Sequence, residues 1–210
     1  MFAYEVVMDM SMQALPNTAA RNPGSTRSFY PSTTMRCEGN RVFRSQAARD
    51  VGCLLDLDPS VVLWRCRPPA MDDLDHSPDF EVVYDDGTTV LVDAHDRQLP
   101  TDVVSLEDAA RRRDATYRQM SQDDVHDGSR LKNAKDLLRY GNYVVPLGDR
   151  LRLLGALDAN GSMSIFECLS AFQEVKPVAG LASLILNRYL EVDLDDAPLG
   201  PETTVRRIAR

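Results

Sequence analysis

The sequence predicts an α/β (α+β) chain whose second part is rich in short helices. Three observations carry that expectation. A helical run near 45–57 is followed by β-rich runs at 61–66, 80–84 and 89–94 and then by a second helical run from Ser105, the mixed order expected of a sheet packed with helices. Asp85-Asp86-Gly87-Thr88 separates FEVVY from TVLVDA, and an Asp-Gly step between two β-rich runs is the strongest short-range hairpin signal. Beyond residue 130, short helical segments lead into the alternating run YLEVDL. Helices followed by such a strand give the outline of a winged helix-turn-helix.

Each element has a local reason. Ser45 can cap a helix in which Ala48, Val51, Leu54 and Leu55 recur at helical spacing. Asp58-Pro59 stops it, because proline has no N–H to donate. VVLWRC at 61–66 is β-branched and aromatic, hence a strand. SLEDAARRRDATYRQM, with Asp108 three residues after Ser105, predicts a helix from 105 to about 120. A short helix is expected at 131–140, and another at 150–161 ends on Asn160-Gly161. Ser164 caps a segment at 164–172, and Pro177 opens a helix at 177–188, at a first-turn position proline tolerates. A strand is expected at 189–194. Residues 1–40 read as an irregular N-terminal arm, 41–130 as the mixed domain and 131–210 as the winged-helix-like domain. Met8, Met10 and Met12 belong to no expected element.

Composition narrows the function classes. The 210 residues are 43% hydrophobic and 27% charged, with 24 Lys and Arg against 32 Asp and Glu, a globular rather than a disordered balance. No apolar run reaches the ~18 residues a membrane span needs. The start MFAYEVVMDM carries Glu5 and Asp9 instead of a basic signal-peptide cluster. Cys37, Cys53, Cys66 and Cys168 form no CxxC pair, so reduced thiols in a cytoplasmic protein are expected. The net charge of -8 conceals an asymmetry: residues 21–49 hold six Arg against Glu38 alone, and residues 50–96 hold twelve acids against Arg65 and Arg67. A polyanion is drawn to the first region and repelled by the second.

The segment 77–95 is where chemistry can gather. Ser77-Pro78-Asp79-Phe80 enters one hairpin strand and Asp93-Ala94-His95 leaves the other. A hairpin brings Asp79 and Asp93 to one end of the sheet, and alternation predicts that Asp93 and His95 share a face. Two carboxylates there can hold a divalent metal that activates a water. Read alone, acids at strand ends more often cap or meet solvent. Trp64 reads as a packing residue between helix 45–57 and the sheet. Lys176 to Arg188 and Arg111-Arg112-Arg113 are possible nucleic-acid contacts, against the simpler readings of core packing and a solvated face.

An ordered set of features resembles the TnsA endonuclease family, the DNA-cutting subunit of heteromeric transposases. RNPGSTRSFYPSTTMR precedes SQAARDVGCLLDLDPSVV, which is similar to the family's "E-R-D…L-L-x-x-D-P-x-V" stretch. WRCRPP stands where the family often has a Gln-Pro step. PDF at 78–80 and DAH at 93–95 follow in the expected order, and SRLKNAKDLLRY resembles the family's linker helix. The resemblance spans about residues 21–206. It implies a restriction-endonuclease-like PD-(D/E)xK fold, a mixed sheet flanked by helices, followed by a winged helix. It also implies Mg²⁺ held by carboxylates, DNA as substrate, and a transposase-like protein partner with an ATPase regulator.

Carried over by position, Asp79 matches the central metal ligand and Asp93 the second acid. His95 falls on the Lys position, and Ala48 falls where a helix Glu is expected. A methyl group neither binds metal nor accepts a proton. Glu38, Gln46 and Asp50 are the nearby polar residues, and Asp50 lies about 200° round the helix from Ala48. Under this resemblance Arg27, Arg36, Arg41, Arg44, Arg49 and Arg188 are the expected DNA contacts. Three readings stay open: a catalytically degenerate nuclease fold kept for DNA binding or assembly, an active Mg²⁺-dependent endonuclease using Asp79, Asp93 and His95, and a protein-interaction module.

Overall fold

Two β-sheets, each packed with helices, organise the chain. A computed structural model describes residues 28–71 and 74–208; Arg27 and the methionines at 8, 10 and 12 lie outside them. The first sheet comprises β1 (Cys37–Glu38), β2 (Val61–Cys66), β3 (Phe80–Tyr84), β4 (Thr89–Asp93) and β5 (Thr116–Gln119), adjacent in that order. β2, β3 and β4 are antiparallel neighbours, whereas β1–β2 and β4–β5 are parallel. Parallel neighbours need a crossover. α1 (Gln46–Leu57) supplies it between β1 and β2, and α2 (Val103–Arg111) between β4 and β5.

The two helices serve separate cores. Ala48, Val51 and Leu55 of α1 pack with Trp64, Phe80, Val82 and Val92. Leu106, Ala109 and Ala110 of α2 pack with Met71, Leu91 and Tyr117. Val92 and Leu91 are successive, so strand alternation assigns them to opposite faces. Trp64 is fully buried, meets Phe80 edge-on at 5.4 Å and donates its Nε1–H to Asp56 at 3.0 Å.

Local chemistry explains the well-matched elements. The Ser45 hydroxyl accepts from Ala48 N at 3.1 Å and caps α1. In the hairpin, Asp86 accepts from Thr88 N at 2.8 Å, and Gly87 adopts φ +84°, which glycine reaches without a Cβ clash. From residue 28 the arm lies against α1. Arg49, fully buried, donates to the carbonyls of Pro31 and Thr33 at 2.7 Å each. Asp56 accepts from the backbone N–H groups of Met35 and Arg36 at 3.0 and 2.9 Å.

The helix expected over 105–120 is corrected. α2 starts two residues earlier, because Asp102 rather than Ser105 is its cap and accepts from Ser105 N at 2.9 Å. It ends at Arg111. Asp114 then takes a left-handed conformation (φ 54°), and TYRQ pairs with β4 as the edge strand β5.

The remainder contains α3 (Gln122–His126), α4 (Arg130–Leu138), α5 (Leu147–Asn160), β6 (Ser162–Ser164), α6 (Ile165–Leu169), α7 (Pro177–Leu186), β7 (Leu190–Val192) and β8 (Thr204–Arg207). β6, β8 and β7 form an antiparallel sheet in that order. β6, β8 and α3 were not expected from the sequence. Seven helices stand among the described residues. α5 stops at Gly161 (φ 77°), whose N–H reaches Leu157 O at 2.8 Å. α6 opens with a reciprocal capping box between Ser164 and Glu167. α4 begins where the expected domain boundary falls, and it packs against both α1 and α7. No helix among the described residues is long and apolar enough to cross a membrane.

Candidate functional site

The end of the β3–β4 hairpin brings the two acids together. Phe80 pairs with Val92, so Asp79 and Asp93 are the next opposed positions. Asp79 N donates to Asp93 Oδ1 at 2.9 Å, and Ala94 N donates to Asp79 Oδ2 at 3.1 Å. Both acids are buried, Asp79 at 4% exposure and Asp93 at 0%.

Each carboxylate is then closed by side chains. Arg44 grips Asp79 with both oxygens engaged, Nε to Oδ1 and Nη2 to Oδ2, each at 3.1 Å. Arg97 stands 3.7 Å from Oδ1. The same Arg44 reaches Asp96 at 2.5 and 3.3 Å. A planar guanidinium in this two-point geometry is the strongest partner a carboxylate finds among side chains. Partial burial opposes the charge on Arg44, but its hydrogen bonds to Asp79 and Asp96 outweigh that and hold its pKa above the ordinary value. Burial likewise opposes ionisation of Asp96, yet hydrogen bonds from Arg44 and Ser45 bring its pKa below the ordinary carboxylate range.

Asp93 faces the α2 side. Its Oδ2 meets His76 Nε2 at 2.6 Å and accepts from the Tyr117 hydroxyl at 2.8 Å. The His76 ring stands edge-on to Tyr117 at 6.5 Å. Burial, and then the charge of Asp93, push the Tyr117 hydroxyl pKa upward, so it stays a donor.

His95 does not share a face with Asp93. β4 ends at Asp93, and Arg97 N closes a turn onto Ala94 O at 3.0 Å. The turn carries His95 towards α3, where its ring lies 5.8 Å from that of His126. Ala48 is buried in the α1 core. Asp50 points towards α4, accepting from Lys135 Nζ at 2.8 Å and Gln46 Nε2 at 2.6 Å, with His126 Nε2 at 3.9 Å. Glu38 is exposed and pairs with Arg65 at 2.8 Å.

This arrangement does not fit a divalent cation. Mg²⁺ needs oxygen donors free to turn towards it. Both Asp79 oxygens face Arg44, and Asp93 is engaged on both oxygens from within the fold. Among the described residues, no group of three or more His, Cys, Asp or Glu side chains is placed to hold a metal.

The expected DNA contacts are mostly spent inside the fold. Arg36 is half-buried, with Nη2 3.5 Å from Leu186 O. Arg49 is fully buried under the arm, and Arg44 is held by Asp79 and Asp96. Arg188, at φ 57°, donates to the carbonyls of Asp58 and Val61 at 2.6 Å each and so ties α7 to β2. Arg41 is exposed.

Sequence reasoning missed His76, Tyr117, Asp96, Arg97, His126 and Lys135. His76 and Asp96 stand beside the motifs, three residues from Asp79 and from Asp93. Tyr117 was hidden by the helix expected over its strand. His126 and Lys135 come close only through tertiary packing. No protein-family model and no curated protein matches this chain.

Proposed function

We propose that this chain is a TnsA-like protein of restriction-endonuclease type whose catalytic centre has become an ion-pair lattice. It serves as a non-cutting assembly component of a transposition-type complex. The order α1-β2-β3-β4-α2-β5 supports the nuclease-type reading, as does the meeting of Asp79 and Asp93 at one sheet end. The α5-β6-α6-α7-β7-β8 unit supports a winged-helix reading of the remainder.

The observation that carries the proposal is the two-point grip of Arg44 on Asp79. An arginine there supplies the positive charge that a metal would supply, but it offers no site for an attacking water. The buried methyl of Ala48 adds no donor. Assembly with a protein partner is favoured over direct DNA contact, because Arg36, Arg44, Arg49 and Arg188 are engaged within the fold.

The test is incubation of supercoiled plasmid with the full chain and Mg²⁺ or Mn²⁺, alongside Asp79→Ala. The proposal expects no nicking above background from either protein. Nicking by the wild type that disappears in Asp79→Ala overturns it in favour of a metal-dependent endonuclease. A mobility shift of the same DNA that weakens steeply with salt would move the role from protein assembly to DNA binding.

A further inference from the structure

Residues 28–38, the arm that lies along α1, are held in a way that does not require them to belong to the same chain. Gln46 takes both main-chain groups of Tyr30, accepting from its N–H at 3.3 Å and donating to its carbonyl at 2.9 Å. Arg49 donates to the carbonyls of Pro31 and Thr33, and Asp56 accepts from the N–H groups of Met35 and Arg36. Each of these bonds ends on a main-chain atom of the arm. β2 completes the seat. Trp64 N donates to Arg36 O at 3.0 Å, β1 pairs with β2 in parallel, and Glu38 meets Arg65 across the pair at 2.8 Å.

The hold is incomplete. Among the described residues, the buried side-chain polar atoms without a hydrogen-bond partner are Thr34 Oγ1, Arg36 Nε, Arg49 Nη1, Asp56 Oδ2 and His95 Nδ1. All but the last belong to the arm or to the two α1 residues that grip it. Arg49 and Asp56 are both buried, yet Arg49 Nη2 stands 4.0 Å from Asp56 Oδ2. A buried polar group left unpaired weakens the contact it sits in, so this seam opens more readily than a fully paired one.

The arm also ends on a hinge. Residues 38–42 are all exposed, and Val42 N–H closes a turn onto Asn40 O at 3.1 Å. Gly39 turns at φ +77°, with nothing within 4 Å of where a Cβ would stand. The chain is fixed again at Phe43, whose ring packs on Trp64 and Phe80 at 6.1 and 6.2 Å. Straightened, residues 39–42 span about 14 Å and turn the arm away from its own α1.

We propose that this chain dimerises by arm exchange, residues 28–38 of each copy occupying the α1–β2 seat of the other. The occupant is a second copy because the seat already fits this arm, side chains included: Glu38 faces Arg65, and Arg36 Nη2 lies 3.5 Å from Leu186 O. Every bond between arm and seat is re-formed between copies. What differs is the hinge, extended instead of turned, and the entropy of bringing two chains together. The inference is independent of the transposition reading.

Gly39→Ala separates the two states. A residue with a Cβ strains a turn at positive φ, whereas an extended hinge takes alanine without penalty. The added methyl meets no neighbour, so packing is unchanged. The experiment incubates the full chain and Gly39→Ala at up to about 1 mM, the effective concentration that a short linker supplies within one chain, and measures mass by sedimentation equilibrium. A monomer–dimer equilibrium is expected. The dimer dissociation constant should fall by about tenfold or more in Gly39→Ala, because each dimer relieves two hinges.

A second measurement identifies which arm sits where. Glu38→Arg and Arg65→Glu each place like charges across the β1–β2 seam, at exposed positions. In an equimolar mixture, arm exchange brings the two reversed charges together in one seat and the wild-type pair together in the other. Native mass spectrometry should then show heterodimer above the statistical half of all dimers. Wild type and Gly39→Ala both monomeric throughout, a dissociation constant not lowered by Gly39→Ala, or heterodimer at or below the statistical half overturns the proposal.

Discussion

Arg44 decides what the Asp79 carboxylate can do. Composition marks residues 21–49 as arginine-rich, and that richness reads naturally as a surface for a polyanion. The structure shows why the inference stops there: Arg49 holds the arm, Arg188 ties α7 to β2, and Arg44 neutralises Asp79. A sequence exposes the charge of an arginine but not its partner. The meeting of Asp79 and Asp93 was legible, because an Asp-Gly hairpin fixes which residues oppose each other. The separation of His95 from Asp93 was not, because a turn directly after the strand breaks the alternation. Asp93→Ala leaves His76, the Tyr117 hydroxyl and Asp79 N–H without their acceptor. It is predicted to cost about 2–4 kcal/mol, measured by denaturant unfolding; an unchanged midpoint would show that the buried acid is not holding this corner.

At the scale of elements, the caps and stops were legible and the edges were not. Ser45, Gly161 and Pro177 act where the sequence placed them. β5 was lost in an apparent helix because Asp114 turns the chain through a conformation that no spacing rule anticipates. β6 and β8 are short strands completed only by their neighbours. One element junction depends on a single buried acid. Asp149 of α5 accepts from the backbone N–H groups of Gln173, Glu174 and Val175 at 2.9 to 3.1 Å and pairs with Arg152, fixing the approach to α7. Burial opposes its ionisation, but these donors prevail and lower its pKa. A lowered folded pKa contributes stability that is complete above the ordinary carboxylate value of about 3.9 and fades as pH falls through the folded value. Thermal melts are therefore predicted to be less stable below about pH 4. Asp149→Asn should melt earlier at pH 7 and show a shallower acid decline. An acid decline as steep as the wild type's would remove Asp149 from this role.

For the whole molecule, the two sheets share one apolar core. Trp64 and Val82 of the first and Leu190 and Val205 of the second belong to a continuous cluster, joined through Leu137 and Leu138 of α4. The sequence suggested a seam near residue 131, where motif order changes, but it could not show that α4 faces both α1 and α7. Leu138 is fully buried, so Leu138→Ala is predicted to cost about 2–5 kcal/mol. Trp64 fluorescence and hydrogen exchange at β8 should still report one shared transition. Two separated transitions in the wild type would mean that the sheets are independent.

The central claim is that arginine, not metal, neutralises the Asp79–Asp93 corner, and Mn²⁺ binding tests it most directly. Paramagnetic titration of the full chain should show no site with a Kd at or below about 1 mM, the affinity worth about 4 kcal/mol. A Mn²⁺ site of that strength in the wild type, lost in Asp79→Ala, would contradict the account.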